Sequence, residues 1–509
     1  MRTITIRGGT VIDGSGAPRY RADLRVEDGQ ITAIASDLPA NGQIINATGR
    51  IVAPGLIDVH SHLDAEALWT PAPTLARVGV TTAIVGNCGF SLGPWPREIH
   101  GQMLDHLCAG EGWDRARLAA ALPYPYPSIH AAFAALDTCN STLNLASYLG
   151  YDALLAQVGA DLSGRAAPTP RQIIAMARAL REGLDRGALG LSVSFRRASR
   201  TRLLEVTSLL DLVGPRPSAL LQTALPENVA DEPLRDHLED ALISLCLRFG
   251  MTATWTLFAK LGDPDYHRRR LERLRDKAGG GASVAVQVMP IAPGPLTVLR
   301  EASDLHRLLS AGPEEQQRYR VVAPGEVRGL PLDALAEQWL PSPLLKDRSS
   351  VGQDLVVQRI QGNPDWRTIG ELLDCPHSVV GGSDSGAAPG LIQNAGMFPV
   401  LLSSEARARL KLPLEEAVHR LTGQLAARFG LLGRGCLTVG AAADILIFDP
   451  DRITANPPRP AFEAGRVQSF DQTAAGISAV LVGGSPTFRD GHLTGAYPGA
   501  FLPISQNAT

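Results

Sequence analysis

The sequence predicts an α/β protein, a TIM-like (β/α)8 barrel with a small β-sandwich domain built from both chain ends. Three observations predict it. From Pro54 to Leu432, short apolar runs alternate with helical segments roughly eight to nine times, the pattern of a parallel barrel. Both chain ends carry short alternating strands and turns instead, too little at either end to make a core alone. No G-x-G-x-x-G follows a strand, which disfavours an open doubly wound sheet. The expected division is 1–53 and 433–509 for the two parts of the β-domain, with the barrel at 54–432.

The chain opens with alternation over residues 3–6, then Gly8-Gly9-Thr10-Val11-Ile12-Asp13-Gly14. Residues 23–26 meet the hairpin signal Asp28-Gly29, and residues 31–34 form the return arm. At the far end, residues 443–449 and 479–484 read as strands and Asp490-Gly491 as a second hairpin turn. Chain ends that lie close together are common, so joining these pieces is inexpensive.

The barrel strands begin with residues 51–59, interrupted by the turn signal Pro54-Gly55. Residues 81–85 lead to Gly86-Asn87-Cys88-Gly89, and residues 143–149 form a third strand. Residues 170–186 have helical apolar spacing, with Thr169 as cap, and hand over to a strand at 187–192. Further strands are expected at 219–223, 253–258, 283–291, 354–358 and 378–381. Residues 263–281, dense in Arg and Asp, predict a solvated helix rather than a nucleic-acid patch.

Composition excludes several classes. A hydrophobic share of 45% with 19% charged residues is that of an ordinary globular protein. A net charge of −3 gives no electrostatic basis for binding nucleic acid or an anionic membrane. The six cysteines are scattered without a C-x-x-C pair, unlike a disulfide framework. The N-terminus has no apolar signal core, and no apolar run reaches the roughly 20 residues that span a bilayer. The expectation is a cytoplasmic protein with a small-molecule substrate and no nucleic-acid or membrane partner. The β-domain offers an interface for a homo-oligomer, but nothing in the residues decides it.

The stretch Gly55-Leu56-Ile57-Asp58-Val59-His60-Ser61-His62 carries the chemistry. Strand periodicity puts two histidines spaced i, i+2 on one side, half of a metal site at the end where barrel enzymes work. The last strand runs into Gly382-Ser383-Asp384, and in a closed barrel it neighbours the first. His60, His62 and Asp384 could then hold zinc with a position open for water, and Asp384 could carry the proton. Cys88, ending the second strand, is a candidate thiolate ligand for the same ion. Each has a plainer reading: a hydrogen-bonded histidine pair, a turn carboxylate, a small residue in a glycine turn.

Two segments, Gly8 to Gly14 and Ala53 to His62, resemble the amidohydrolase superfamily. Gly79-Val80-Thr81-Thr82 and Gly86-Asn87-Cys88-Gly89-Phe90-Ser91 make the chain similar to its D-aminoacylase branch, the N-acyl-D-amino-acid deacylases. Gly382-Ser383-Asp384, Leu414 to Val418, Leu421-Thr422, Arg434-Gly435 and Ala443-Asp444 follow in that branch's order. The resemblance spans nearly the whole chain. It implies hydrolysis of a carbon–nitrogen bond at a metal centre held by His60, His62 and Asp384, with Cys88 at or between two metals.

The departures from that pattern are specific. The branch expects a histidine near the end of strand five, where this chain reads Thr223-Ala224-Leu225-Pro226. Strand six should carry S-H-x-K but reads Thr254-Trp255-Thr256-Leu257-Phe258-Ala259-Lys260, with His237 and His267 only in the flanking polar stretches. Gly150-Tyr151 stands where a G-H pair is expected, and strand four has no lysine. The expectation is therefore one divalent ion, zinc first, on His60, His62, Asp384 and Cys88, with Asp384 the catalytic proton carrier. Tyr151 and Lys260 are candidate substrate-binding residues at the mouth. The rival reading is a barrel turned to lyase, cyclase or acyl-transfer work around an apolar pocket of Ala224, Trp255 and Phe258, or a metal-free binding protein.

Overall fold

The computed structural model describes residues 3–70, 74–111, 113, 115–196, 199–226, 231–260, 263–291, 296–299, 308–310, 316, 319–323, 355–359, 365–386, 394–463 and 466–505. The N-terminal strands are β1 (Thr3–Val11), β2 (Tyr20–Glu27), β3 (Gln30–Ala35), β4 (Gln43–Asn46) and β5 (Ile51–Pro54). The expected break after Ile6 is a bulge rather than a strand end. Gly8 takes φ 73 and the register with β2 shifts between Ile6 and Gly9, so β1 runs on to Val11. Asp28 and Gly29 both have positive φ, as the tight turn between β2 and β3 requires.

The barrel strands are β6 (Leu56–Asp58), β7 (Val80–Val85), β8 (Asn144–Ser147), β9 (Leu149–Gly150), β10 (Gly190–Ser194), β11 (Leu220–Ala224), β12 (Thr252–Thr256) and β13 (Ser283–Val288). Outside this series lie β14 (Leu296–Leu299), β15 (Tyr319–Ala323) and β16 (Leu355–Arg359), and β17 (Ser378–Val380) completes the barrel strands. The principal helices are α1 (Leu63–Trp69), α2 (His100–Glu111), α3 (Arg115–Ala121), α4 (Ile129–Thr138), α5 (Tyr151–Gln157), α6 (Pro170–Asp185), α7 (Ser199–Val213), α8 (Glu232–Phe249), α9 (Tyr266–Ala278) and α10 (Trp366–Leu373). Helix α6 begins in a capping box: Thr169 accepts from the Gln172 amide, and the Gln172 side chain reaches back.

Pairing is parallel throughout these strands. One sheet runs β6-β7-β8 and another β17-β13-β12-β11-β10-β9. They share the continuous run 144–150, and the Leu189 amide bonds to the Ser147 carbonyl across the join. Past the ends of β6 and β17, the Asp384 amide donates to the His60 carbonyl (3.1 Å) and the His62 amide to the Ser385 carbonyl (2.7 Å). The order is the ring of a TIM barrel. The run expected as a barrel strand at 354–358 lies elsewhere. Strand β13 pairs directly with β17, leaving β16 as the middle strand of an antiparallel sheet with β14 and β15.

The two chain ends meet in one sheet. It holds β1–β5 together with β18 (Ile445–Phe448) and, after the small sheets of β19 (Thr454–Ala455), β20 (Arg459–Glu463), β21 (Arg466–Asp471) and β22 (Ala474–Ala475), β23 (Ile477–Val482), β24 (Ser485–Arg489) and β25 (His492–Leu493). Ile4, Ile6, Leu24, Ile445, Ile447 and Leu481 form its core. The apolar run 51–59 therefore serves two sheets and is cut at Gly55. A Cβ there would come within 2.2 Å of the Thr81 side chain, so the chain crosses from β5 to β6 where only glycine fits.

Inside the barrel the inward residues form layers. Ile57, Ile84, Ala146, Leu220, Ala285 and Val379 make an apolar floor. Above it lies a buried polar row, Ser192, Gln222, Thr254 and Gln287, one from each of four neighbouring strands. Inward Thr254 turns Trp255 outward into the helix-facing core, so Trp255 is not part of an interior pocket as expected. Nor is the 263–281 helix simply solvated. Tyr266, His267, Arg270, Leu271 and Leu274 are buried, because carboxylates of α8 neutralise the α9 guanidinium groups. Glu239 accepts from Arg235 (2.9 Å) and from Arg270 (3.1 Å).

Candidate metal centre

His60 and His62 lie beyond β6, in the bend and link leading to α1, so strand alternation is not what turns them together. Backbone bonds do so. The buried Asp58 carboxylate accepts the His60 amide at 3.1 Å and the Ser383 hydroxyl, while the carbonyls of His60 and Ser385 tie both histidines to the last strand's loop. Burial pushes the Asp58 carboxyl up to about 6, against the opposing pull of Ser383 and His60. His62 opens α1 and is buried, and its imidazole is held well below its ordinary pKa by burial, by His60 and by Arg196. The two ring centroids are 5.4 Å apart.

Asp384 faces both rings. Its Oδ1 is 3.3 Å from His60 Nε2 and 3.6 Å from His62 Nε2. Cys88 Sγ is 3.4 Å from His60 Nε2. Donor atoms bound tetrahedrally at zinc distances stand about 3.3–3.8 Å apart, so these separations suit a single ion. Among the described residues, His60, His62 and Cys88 form the cluster whose ligand atoms all lie within 4.8 Å of one another, and Asp384 joins it through the two imidazoles. Cys88 and Asp384 both adopt left-handed backbone (φ 57 and 54), an unfavourable conformation for a cysteine.

The supporting groups were not singled out by sequence reasoning. Gln287 Oε1 is 2.7 Å from His60 Nδ1, and Gln222 Oε1 accepts the Cys88 amide at 2.8 Å. Their signal was available: polar residues on the inward register of otherwise apolar strands, as in Val286-Gln287-Val288. Ala224, two residues beyond Gln222, faces the same side at the end of β11. Tyr151 is fully buried at the start of α5. Its hydroxyl donates to Glu205 at 2.5 Å and Arg202 lies over its ring, so in this structure its hydrogen is committed within the protein. Lys260 lies just beyond β12 with Nζ 3.9 Å from the Tyr266 ring. His237 is exposed on α8, and His267 is buried on α9 against Glu371 at 2.8 Å.

The amidohydrolase family profile matches residues 43–208 and 335–488. The chain belongs to the amidohydrolase family. Within the superfamily it falls in the D-aminoacylase branch. It is 29% identical over 518 residues to the D-aminoacylase of Alcaligenes xylosoxydans xylosoxydans, covering 98% of this chain and 97% of that one. The N-acyl-D-aspartate deacylase of the same organism is also 29% identical, with coverage of 99% and 96%. Among solved structures, the N-acyl-D-glutamate deacylase of Bordetella bronchiseptica, complexed with zinc and a phosphonate mimic of the tetrahedral intermediate, superposes with a TM-score of 0.72. That pair is 27% identical and covers 98% and 99% of the two chains. A D-aminoacylase studied for its binuclear metal centre superposes with a TM-score of 0.71 at 25% identity, covering 98% and 99%. As an amidohydrolase of this branch, the protein is a hydrolase acting on carbon–nitrogen bonds other than peptide bonds. No helix of the described residues is long and apolar enough to cross a membrane.

Proposed function

We propose that this amidohydrolase cleaves the amide bond of a small N-acyl compound of the N-acyl-D-amino-acid type at one divalent metal site, with zinc as the first choice. The observation that carries the reading is Asp384 Oδ1, held 3.3 Å from His60 Nε2 and 3.6 Å from His62 Nε2. His60, His62 and Asp384 would hold the ion and Cys88 would complete the set. When bound, a divalent ion acidifies a water and polarises the scissile carbonyl. Asp384 takes the attacking water's proton as its oxygen bonds to the carbonyl carbon. The same carboxyl then returns the proton to the leaving nitrogen as the C–N bond breaks.

Several features favour one ion over two. Ala224 stands where the resemblance places a histidine on strand five, and residues 254–260 hold no histidine for the one it places on strand six. For the D-aminoacylase with a binuclear centre, one-metal activation and second-metal attenuation are described. We assign substrate contacts at the mouth to Lys260 and Tyr151. The domain division at 53/54 and 432/433, a sandwich packing of the terminal sheet and a cytoplasmic location belong to the same reading.

The test is metal content of protein purified without added metal, by elemental mass spectrometry, together with hydrolysis of an N-acyl-D-amino-acid panel. About one ion per chain, lost with hydrolysis in His60→Ala, is the expected result. Hydrolysis unchanged in His60→Ala overturns the reading.

A further inference from the structure

The polar row below the centre determines which nitrogen of His60 carries the proton. Thr254 Oγ1 donates its one hydrogen to the Ala285 carbonyl at 2.7 Å. That hydroxyl can then only accept from Gln287, whose Nε2 lies 3.0 Å away. Gln287 thereby has its amide orientation fixed, and Oε1 is the end that meets His60 Nδ1 at 2.7 Å. An amide oxygen only accepts, so His60 Nδ1 bears a hydrogen, and Nε2, which faces Asp384 and Cys88, is the nitrogen left to offer a lone pair to an ion. Thr254, Gln287 and their partner strands are buried, with both side chains at 0% exposure, so water does not compete for these bonds.

We propose that Thr254 and Gln287 form a positioning relay that locks His60 in its Nδ1–H tautomer and so aims the Nε2 lone pair at the ion site. The tautomer follows from the bonds themselves, whereas its consequence for metal affinity rests on the single-ion reading above. The relay is neutral. A carboxylate at position 287 would hold the same tautomer while making the imidazole a more basic donor. A side chain of equal size without an acceptor would release it.

The experiment uses metal-free, full-length protein labelled with 15N-histidine. Long-range proton–nitrogen correlation spectra report each ring's tautomer, and His60 is assigned by its absence in His60→Ala. Wild type and Gln287→Glu are expected to show His60 as Nδ1–H. Gln287→Met, which conserves volume, is expected to show an Nε2–H or mixed ring and to weaken zinc binding about 10–100-fold in chelator competition. Thr254→Val, which frees the amide to turn, should give a mixed ring even if Gln287→Met fails to fold. An Nε2–H ring in wild type overturns the relay, as does an unchanged tautomer in both Gln287→Met and Thr254→Val. If the tautomers behave as expected while no protein binds zinc, the relay stands and the single-ion function falls.

Discussion

Asp384→Asn separates the two roles assigned to that carboxylate. Asp384 sits at φ 54, a region that asparagine tolerates as well as aspartate, so the exchange keeps both side-chain shape and backbone. What changes is the charge beside two imidazole nitrogens at 3.3 and 3.6 Å. Four-donor zinc sites bind with ~10–16 kcal/mol, so an equal share per donor is ~2.5–4 kcal/mol, or ~100–1,000-fold in affinity. Loss of proton transfer should lower turnover by a further ~100–10,000-fold even when zinc is saturating. Chelator competition measures the first effect, and steady-state turnover at saturating zinc measures the second. Metal-free thermal unfolding serves as a control and should not move. If Asp384→Asn binds zinc within a few-fold of wild type and turns over normally, the residue is only a turn carboxylate and the mechanism is refuted. Weakened binding with full turnover at saturating zinc would leave it a ligand and remove it as proton carrier.

Two further outcomes test the surroundings. Glu239→Leu removes the carboxylate shared by the buried Arg235 and Arg270 and should cost about 3–5 kcal/mol in urea unfolding, whereas a loss below ~1 kcal/mol would mean that the pair is solvated. Glu66, half-buried in the first turn of α1, has its carboxyl pushed up to about 7 by burial, with Arg117 opposing. The native state therefore holds this proton at pH values where the unfolded chain has released it. Its contribution is complete below the unfolded carboxylate range and is lost as pH rises towards 7. Glu66→Gln should flatten that part of the stability profile of the metal-free protein, measured as denaturant midpoints across pH, and an unaltered slope would reject the assignment.

How much was legible in the sequence depended on how local the cause was. The turns at Asp28-Gly29 and Asp490-Gly491 and the Thr169 cap were readable because each is fixed by neighbours two or three residues away. The histidine pair was readable for its spacing, but for the wrong reason. Strand periodicity ends at Asp58, and the rings converge through bonds to residues 383–385, more than 300 positions distant. Strand 355–359 was misplaced because an apolar run has the same appearance whether its partner is parallel or antiparallel. The facing of Trp255 needed the register of β12, which is set by Thr254 bonding across to β13.

The same register underlies the proposal of one ion rather than two. A second cation needs anionic or imidazole donors on strands five and six, where Gln222, Ala224 and Thr254 are what the inward register supplies. The Gln222 amide oxygen and the Thr254 hydroxyl are already committed. Gln222 holds the Cys88 backbone and Thr254 holds Gln287, so both act on the first site from below. A neutral row of this kind stabilises donor orientation without adding charge, and a buried ion beside it would lack the counter-charge that offsets its desolvation. What remains of the interior is therefore organised around His60, and its two amides are the groups most worth changing if the barrel's chemistry is to be altered.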